Sequence, residues 1–100
     1  MKYTSTRGDK TILRSTEAVL EGLAPDGGLF MPVDTDFSAF DTDGLYALGY
    51  REIAERVLSF FFDDYPDMAS IVEKAYENAF SAPDITPVKQ VGDRFVLELF

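Results

Sequence analysis

The sequence predicts a small α+β domain, with short strands near both ends and about three helices between them. Two observations favour this class: residues typical of strands flank glycine turns towards each end, and apolar residues recur at helical spacing through the middle. The length of 100 residues suits one domain, and an apolar content of 46% is typical of a folded globule. We therefore expect a single domain over residues 1–100.

The N-terminal part of the chain is expected to contain a strand and a short helix. Residues 2–7 favour a strand because a tyrosine and two threonines prefer extended backbone. Ser15 or Thr16 can cap a helix over residues 17–21, and Gly22 is placed to end it.

A sharp turn is predicted where a proline, an aspartate and two glycines follow one another at residues 25–28. Proline fixes φ, and Asp-Gly is a strong turn dipeptide because glycine tolerates positive φ. We expect at least one of the two glycines to have positive φ. Residues 29–31 then form a short extended segment that Pro32 closes, and a loop with four aspartates covers residues 34–44.

Two amphipathic helices are predicted after this loop. The first begins near Gly49, and its apolar residues recur at helical spacing: Tyr50, Ile53, Ala54, Val57, Leu58 and Phe61. Residues 63–66 interrupt it, and Pro66 suits the first turn of the next helix. That helix has an apolar stripe over residues 68–80 and is expected to end within residues 81–84.

The C-terminal residues are expected to form a β-hairpin. Residues 87–91 and 94–100 flank Gly92-Asp93, a dipeptide typical of tight hairpin turns. The second strand is apolar on both faces except at Glu98, and such a strand is normally covered on both sides. We therefore expect that the chain was cut from a longer one, and that the isolated chain hides this strand by self-association or by folding it back.

Composition excludes several classes of function. The chain has 18 acidic and 9 basic residues, and its net charge of −9 argues against binding to nucleic acids and anionic membranes. The absence of cysteine excludes a thiolate nucleophile and a zinc-thiolate site, and the absence of histidine removes the commonest general base and transition-metal ligand. No apolar run is long enough to span a bilayer, and the N-terminus does not resemble a secretory signal, so a cytoplasmic protein is expected.

Three groups of residues could carry chemistry, and each has a purely structural alternative. Ser5, Thr6 and Arg7 precede a glycine and offer groups that suit a phosphate. The acidic loop begins like a calcium site, but Ala39 and Leu45 stand where glycine and glutamate are needed, so we expect no metal site. Six aromatic residues could line a ligand site, although their spacing favours core packing: Tyr46, Tyr50, Phe60, Phe61, Phe62 and Tyr65.

Four stretches of the sequence resemble the N-terminal region of threonine synthase. In chain order they are YTSTRG at residues 3–8, EAVLEGLAPDGGLFMP at 17–32, ITPV at 85–88 and VLELF at 96–100. The resemblance covers essentially the whole chain, and the GLAPDGGLF segment is fairly specific to that family.

The resemblance implies that the full-length enzyme converts O-phosphohomoserine and water into threonine and phosphate, using pyridoxal phosphate in a fold-type II body. In that family the LELF segment directly precedes the motif whose lysine holds the cofactor. We therefore expect no catalytic or cofactor-binding residue in this chain, which alone should be inactive and whose partner is the rest of the enzyme. The residues that could line the substrate cleft are Ser5, Thr6, Arg7, Asp26, Gly27 and Gly28.

Two alternatives remain open from the sequence. The glycine turn could serve only to fold the domain rather than to approach a cleft. The chain could also be a free-standing acidic module that docks a partner through its last strand. Sequence beyond residue 100 would distinguish the second alternative from the N-terminal part of an enzyme.

Overall fold

The computed structural model describes residues 1–80 and 84–99, and it confirms the α+β class. Three strands and a short helix form the N-terminal part, two longer helices follow, and a hairpin lies near the C-terminus. In chain order these elements are β1 (Lys2–Ser5), β2 (Leu13–Arg14), α1 (Ser15–Glu21), β3 (Phe30–Val33), α2 (Tyr50–Phe61), α3 (Met68–Tyr76), β4 (Val88–Val91) and β5 (Arg94–Leu97).

The N-terminal sheet is antiparallel, with strand order β2-β1-β3. Tyr3 lies in the central strand, opposite Leu13 on one side and Pro32 on the other, and it is buried. The strand predicted over residues 2–7 ends at Ser5, and β2 was not predicted because two residues carry no periodicity.

Helix α1 begins earlier than the sequence predicted. Its N-cap is Arg14 rather than Ser15 or Thr16, and the Arg14 side chain makes no capping hydrogen bond to the backbone of the first turn. Instead the Glu17 carboxylate accepts a hydrogen bond from the Arg14 backbone N–H at 2.8 Å, as in half of a capping box. The predicted end at Gly22 is confirmed, with φ of +77°.

The segment predicted to stop at Pro32 continues as β3 to Val33. Proline is tolerated there because β3 is an edge strand. The acidic loop that follows is not irregular throughout, as it contains 3₁₀ turns at Phe37–Ala39 and Asp43–Ala47.

Helix α2 begins after Gly49 as predicted, and α3 differs from its prediction at both ends. Asp67 is the N-cap of α3 and its carboxylate accepts from the Ser70 N–H at 3.2 Å, so Pro66 precedes the helix instead of occupying its first turn. Helix α3 ends at Tyr76, well before the predicted end, part of which lies at residues 81–83, outside the described residues.

The apolar core is small. Its buried hydrophobic side chains are Tyr3, Ala18, Ala24, Met68 and Val72. Polar bonds join the sheet to the helices: the Tyr3 hydroxyl donates to the Phe61 carbonyl, and the Met1 ammonium group contacts Asp63. These bonds help to position the sheet against the helices.

The predicted hairpin is confirmed over β4 and β5. Val88 pairs with Leu97 and Val91 with Arg94, and Gly92 adopts a positive φ of +64° in the turn. Every residue of both strands is exposed, although the apolar pattern on both faces of the second strand is typical of a strand that is covered on both sides. Phe100, which the sequence placed in the second strand, lies outside the described residues.

Candidate functional site

The Asp26 carboxylate lies at the centre of a hydrogen-bonded cluster between the end of β1 and the predicted turn. Its Oδ1 accepts from the Ser5 hydroxyl at 2.6 Å and from the Gly28 N–H at 3.0 Å, and its Oδ2 accepts from the Asp9 N–H at 2.9 Å. The Ser5 hydrogen bond, followed by the backbone bonds, holds the pKa of Asp26 below its ordinary value. The carboxylate is therefore held ionised and in one orientation.

The two adjacent glycines of the turn are required for different reasons. Gly27 has φ of +75° and donates to the Ala24 carbonyl at 2.8 Å, which confirms the prediction of positive φ. Gly28 is buried, and a Cβ there would lie 2.2 Å from the Ser5 hydroxyl oxygen and 3.1 Å from the Arg7 backbone nitrogen. Conformation thus selects glycine at the first position, and close packing selects it at the second.

Thr6 and Arg7 complete the connection between β1 and the turn. The Thr6 N–H donates to the Leu29 carbonyl at 2.9 Å, and the Leu29 N–H donates back to the Thr6 hydroxyl at 3.0 Å. The Arg7 N–H donates to the Ser5 hydroxyl, and its Nη1 donates to the Asp26 carbonyl at 3.4 Å. Within residues 1–80 and 84–99, no carboxylate lies within 4.0 Å of the Arg7 guanidinium, which is exposed.

The structure brings all six of the predicted cleft residues together, and we call them the Asp26 cluster: Ser5, Thr6, Arg7, Asp26, Gly27 and Gly28. Asp9, whose backbone N–H binds the carboxylate, was not predicted from the sequence. Since any residue except proline offers that N–H, no side-chain signal could have revealed it.

A second polar cluster lies at the start of α1 and was not predicted. The Asp64 carboxylate, whose side chain is 4% exposed, accepts from the Thr16 hydroxyl at 2.5 Å and N–H at 3.2 Å, and lies 3.5 Å from Arg14 Nε. The Thr16 hydroxyl is the main cause that lowers the pKa of Asp64. Asp64 Oδ1 and the Ser15 hydroxyl are buried, and neither has a hydrogen-bond partner among the described residues.

The aspartates of the acidic loop serve as local caps. Asp36 accepts from both the N–H and the hydroxyl of Ser38, and Asp41 accepts from the Gly44 N–H at 3.1 Å. In the described part of the chain, no three carboxylates are grouped so that they could hold a metal ion. The density of aspartate in this loop is therefore explained by turn formation.

The six aromatic residues do not form one core. Tyr46 is 90% exposed, so its predicted core position is wrong. Tyr50, at 40% exposed, packs edge-on against Tyr76, while Phe60 and Phe61 contact each other at 5.3 Å between ring centroids. No ligand site lined by these six side chains is apparent from this arrangement, because they point to separate clusters in the described structure.

No helix in the described ranges combines the length and the apolar character that crossing a bilayer requires.

Comparison with known proteins places this arrangement in a family. The family described as "Threonine synthase N terminus" matches residues 2–76. Threonine synthase from Methylobacillus glycogenes is 40% identical over 97% of this chain and 23% of its own length. The Corynebacterium glutamicum threonine synthase is 37% identical over 97% of this chain and 22% of its own length.

A human relative, "Threonine synthase-like 1", is 37% identical over 85% of this chain and 12% of its own length. The chain thus spans less than a quarter of the length of these relatives. The match over residues 2–76 includes the whole Asp26 cluster and the turn that positions it. The chain belongs to the threonine synthase family, in the part that forms the N terminus of those proteins.

Proposed function

We propose that residues 1–100 are the N-terminal domain of a cytoplasmic threonine synthase. The full-length protein would convert O-phosphohomoserine and water into threonine and phosphate with pyridoxal phosphate as cofactor. The observation that carries this proposal is the family match over residues 2–76, together with relatives named threonine synthase at 37–40% identity. Because the chain spans under a quarter of those relatives, we expect the activity only in the longer protein.

The residues of this chain do not fit a covalent pyridoxal phosphate site. A lysine that forms a Schiff base needs a desolvated pocket or a neighbouring cation to lower its pKa. The four lysines of the chain are all exposed: Lys2, Lys10, Lys74 and Lys89. We therefore propose that the cofactor lysine lies beyond residue 100.

We also propose that the Asp26 cluster lines the substrate cleft of the full-length enzyme. The support is geometric: the Asp26 carboxylate holds the backbone of the turn, while the Arg7 guanidinium has no carboxylate partner in the described residues. A guanidinium is suited to a phosphate or a carboxylate, and O-phosphohomoserine carries both groups. The alternative is that the cluster only folds the turn.

The activity is tested on the full-length protein, with phosphate release and threonine formation from O-phosphohomoserine as readouts. Formation of both products at equal rates would support the proposal, and absence of both from a folded protein loaded with pyridoxal phosphate would refute it. Sequencing beyond residue 100 provides a further check. A continuation without the cofactor lysine motif would favour the free-standing acidic module, whose exposed β5 could dock a partner.

The role of the cluster is tested separately by Arg7→Gln in the full-length enzyme. Loss of a charge-assisted hydrogen bond should raise KM for O-phosphohomoserine about tenfold or more, with the melting temperature unchanged. Arg56→Gln is the matched control, because Arg56 is also exposed but lies 3.9 Å from Asp41. Equal and normal KM values in both variants would mean that the cluster serves only the fold.

A further inference from the structure

Three leucines at the end of α1 and around the following turn are largely exposed. Leu20 is 88% exposed, Leu23 58% and Leu29 60%, and we call them the leucine patch. Leu23 and Leu29 are partners in an isolated antiparallel bridge, so their side chains project from the same face of it. Leu20 lies in the last turn of α1, three residues before Leu23. A single exposed leucine is ordinary, whereas several in one small region indicate an interaction surface.

The fold of the chain itself does not use the leucine patch. Helix α1 already packs with its other face, where Ser15 and Ala18 are buried. The backbone beneath the patch is held by hydrogen bonds, from the Ala24 N–H to the Gly28 carbonyl and from the Thr6 N–H to the Leu29 carbonyl, both at 2.9 Å. The backbone beneath the patch is therefore held in place, and a partner that covers the patch orders little additional backbone of this chain.

We propose that the leucine patch is the surface on which the segment beyond residue 100 of the full-length protein packs. This inference rests on the proposed function in one respect, that the chain is the first part of a longer protein. The relatives are more than four times as long as the part that matches, since that part is 22–23% of their length. A covalently attached segment reaches an effective concentration in the millimolar range, far above that of a free partner.

A second copy of the chain is a poorer occupant. Each copy carries a net charge of −9, so two copies repel each other at low ionic strength. The acidic residues Glu17 and Glu21 lie exposed on α1 beside the patch and would face their counterparts in a symmetric contact. An attached segment with an apolar contacting surface would bring neither the second net charge of −9 nor a second pair of these glutamates to the contact.

The test compares Leu20→Ser and Leu23→Ser in two proteins, the full-length protein and the 100-residue chain, by thermal unfolding. In the full-length protein each variant should lower the melting temperature by about 3–6 °C, because a buried leucine is lost. In the 100-residue chain the same variants should change it by no more than about 2–4 °C, the range for a substitution at an exposed position in a domain this small; at an exposed position of the much longer protein the change should be smaller still. Tyr46→Ser is the control, since Tyr46 is 90% exposed on a different part of the fold and should be neutral in both proteins.

Leucine variants that are neutral in the full-length protein would overturn the inference. Concentration-dependent dimers of the 100-residue chain that Leu20→Ser abolishes would also overturn it, since the occupant would then be a second copy. The outcome does not depend on enzyme activity. A full-length protein that makes no threonine but is destabilised by the leucine variants would refute the proposed function and leave this inference standing.

Discussion

Replacing Gly28 by alanine tests whether close packing in the Asp26 cluster determines the stability of the N-terminal part. The added Cβ would lie 2.2 Å from the Ser5 hydroxyl oxygen, far inside ordinary van der Waals contact. Since Gly28 does not have positive φ, the substitution causes no backbone strain of the left-handed kind. The Ser5 hydroxyl must therefore rotate away, and it loses its bonds to Asp26 and to the Arg7 N–H.

The magnitude follows from those two bonds. Each is worth about 0.5–1.5 kcal/mol, so Gly28→Ala should lower the free energy of unfolding by about 1–3 kcal/mol. Ser5→Ala removes the same bonds and should cost a similar amount. In the double variant the hydroxyl oxygen is absent and the clash with it disappears, so its cost should exceed that of Ser5→Ala alone only by the strain of the remaining contact between the Cβ and the Arg7 backbone nitrogen at 3.1 Å. The two single losses should thus fail to add by about 1–3 kcal/mol.

Urea unfolding of the 100-residue chain, followed by far-ultraviolet circular dichroism, measures all four corners of this cycle. The effect of replacing glycine on the unfolded chain is the same with and without Ser5, so it cancels in the cycle. Strictly additive losses would refute the reasoning, because they would mean that the Gly28 Cβ and the Ser5 hydroxyl do not compete for the same space.

Three further predictions follow from other parts of the chain. Hydrogen bonding lowers the pKa of Asp64 below its ordinary value of 3.8. The stabilisation by the ionised Asp64 is therefore fully present above that value and is lost as the pH falls through the pKa of the folded state. In acid unfolding experiments, Asp64→Asn should make the free energy of unfolding less dependent on pH. Pyridoxal phosphate and borohydride should leave the mass of the 100-residue chain unchanged apart from slow labelling, whereas rapid stoichiometric labelling would contradict the exposed lysines. Light scattering of that chain should increase with salt and decrease in Leu97→Ser/Leu99→Ser, while a monomer at all salt concentrations would count against self-association.

Elements whose signals lie within a few neighbouring residues were predicted from the sequence. The hairpin follows from Gly92-Asp93 between apolar segments, α2 from helical spacing after Gly49, and the end of α1 from Gly22. The positive φ of Gly27 was predicted for the same reason, because a glycine after Pro-Asp specifies a turn without any distant contact. These backbone preferences are steric, and each depends only on residues close to one another in the sequence.

Errors occurred where a local signal competed with a distant partner. Two hydroxyl residues suggested the N-cap of α1, yet the Thr16 N–H is bound by Asp64, which is 48 residues away. Tyr46 is an aromatic residue of the kind that often packs in a core, yet it lies exposed in a 3₁₀ turn. A distant hydrogen-bond partner such as Asp64 is brought close by the tertiary fold, and the spacing of residues along the sequence does not predict it.

The sequence by itself determined which residues belong to the Asp26 cluster, because turn chemistry and the resemblance to threonine synthase both marked them. Only the tertiary structure decided that Ser5 and Asp26, 21 residues apart, meet at 2.6 Å, and that Gly28 must lack a side chain for them to do so. Antiparallel pairing of β1 with β3 sets Ser5 opposite Phe30, which brings the end of one strand to the turn before the other. Strand register is a property of two segments together, and neither segment specifies it alone.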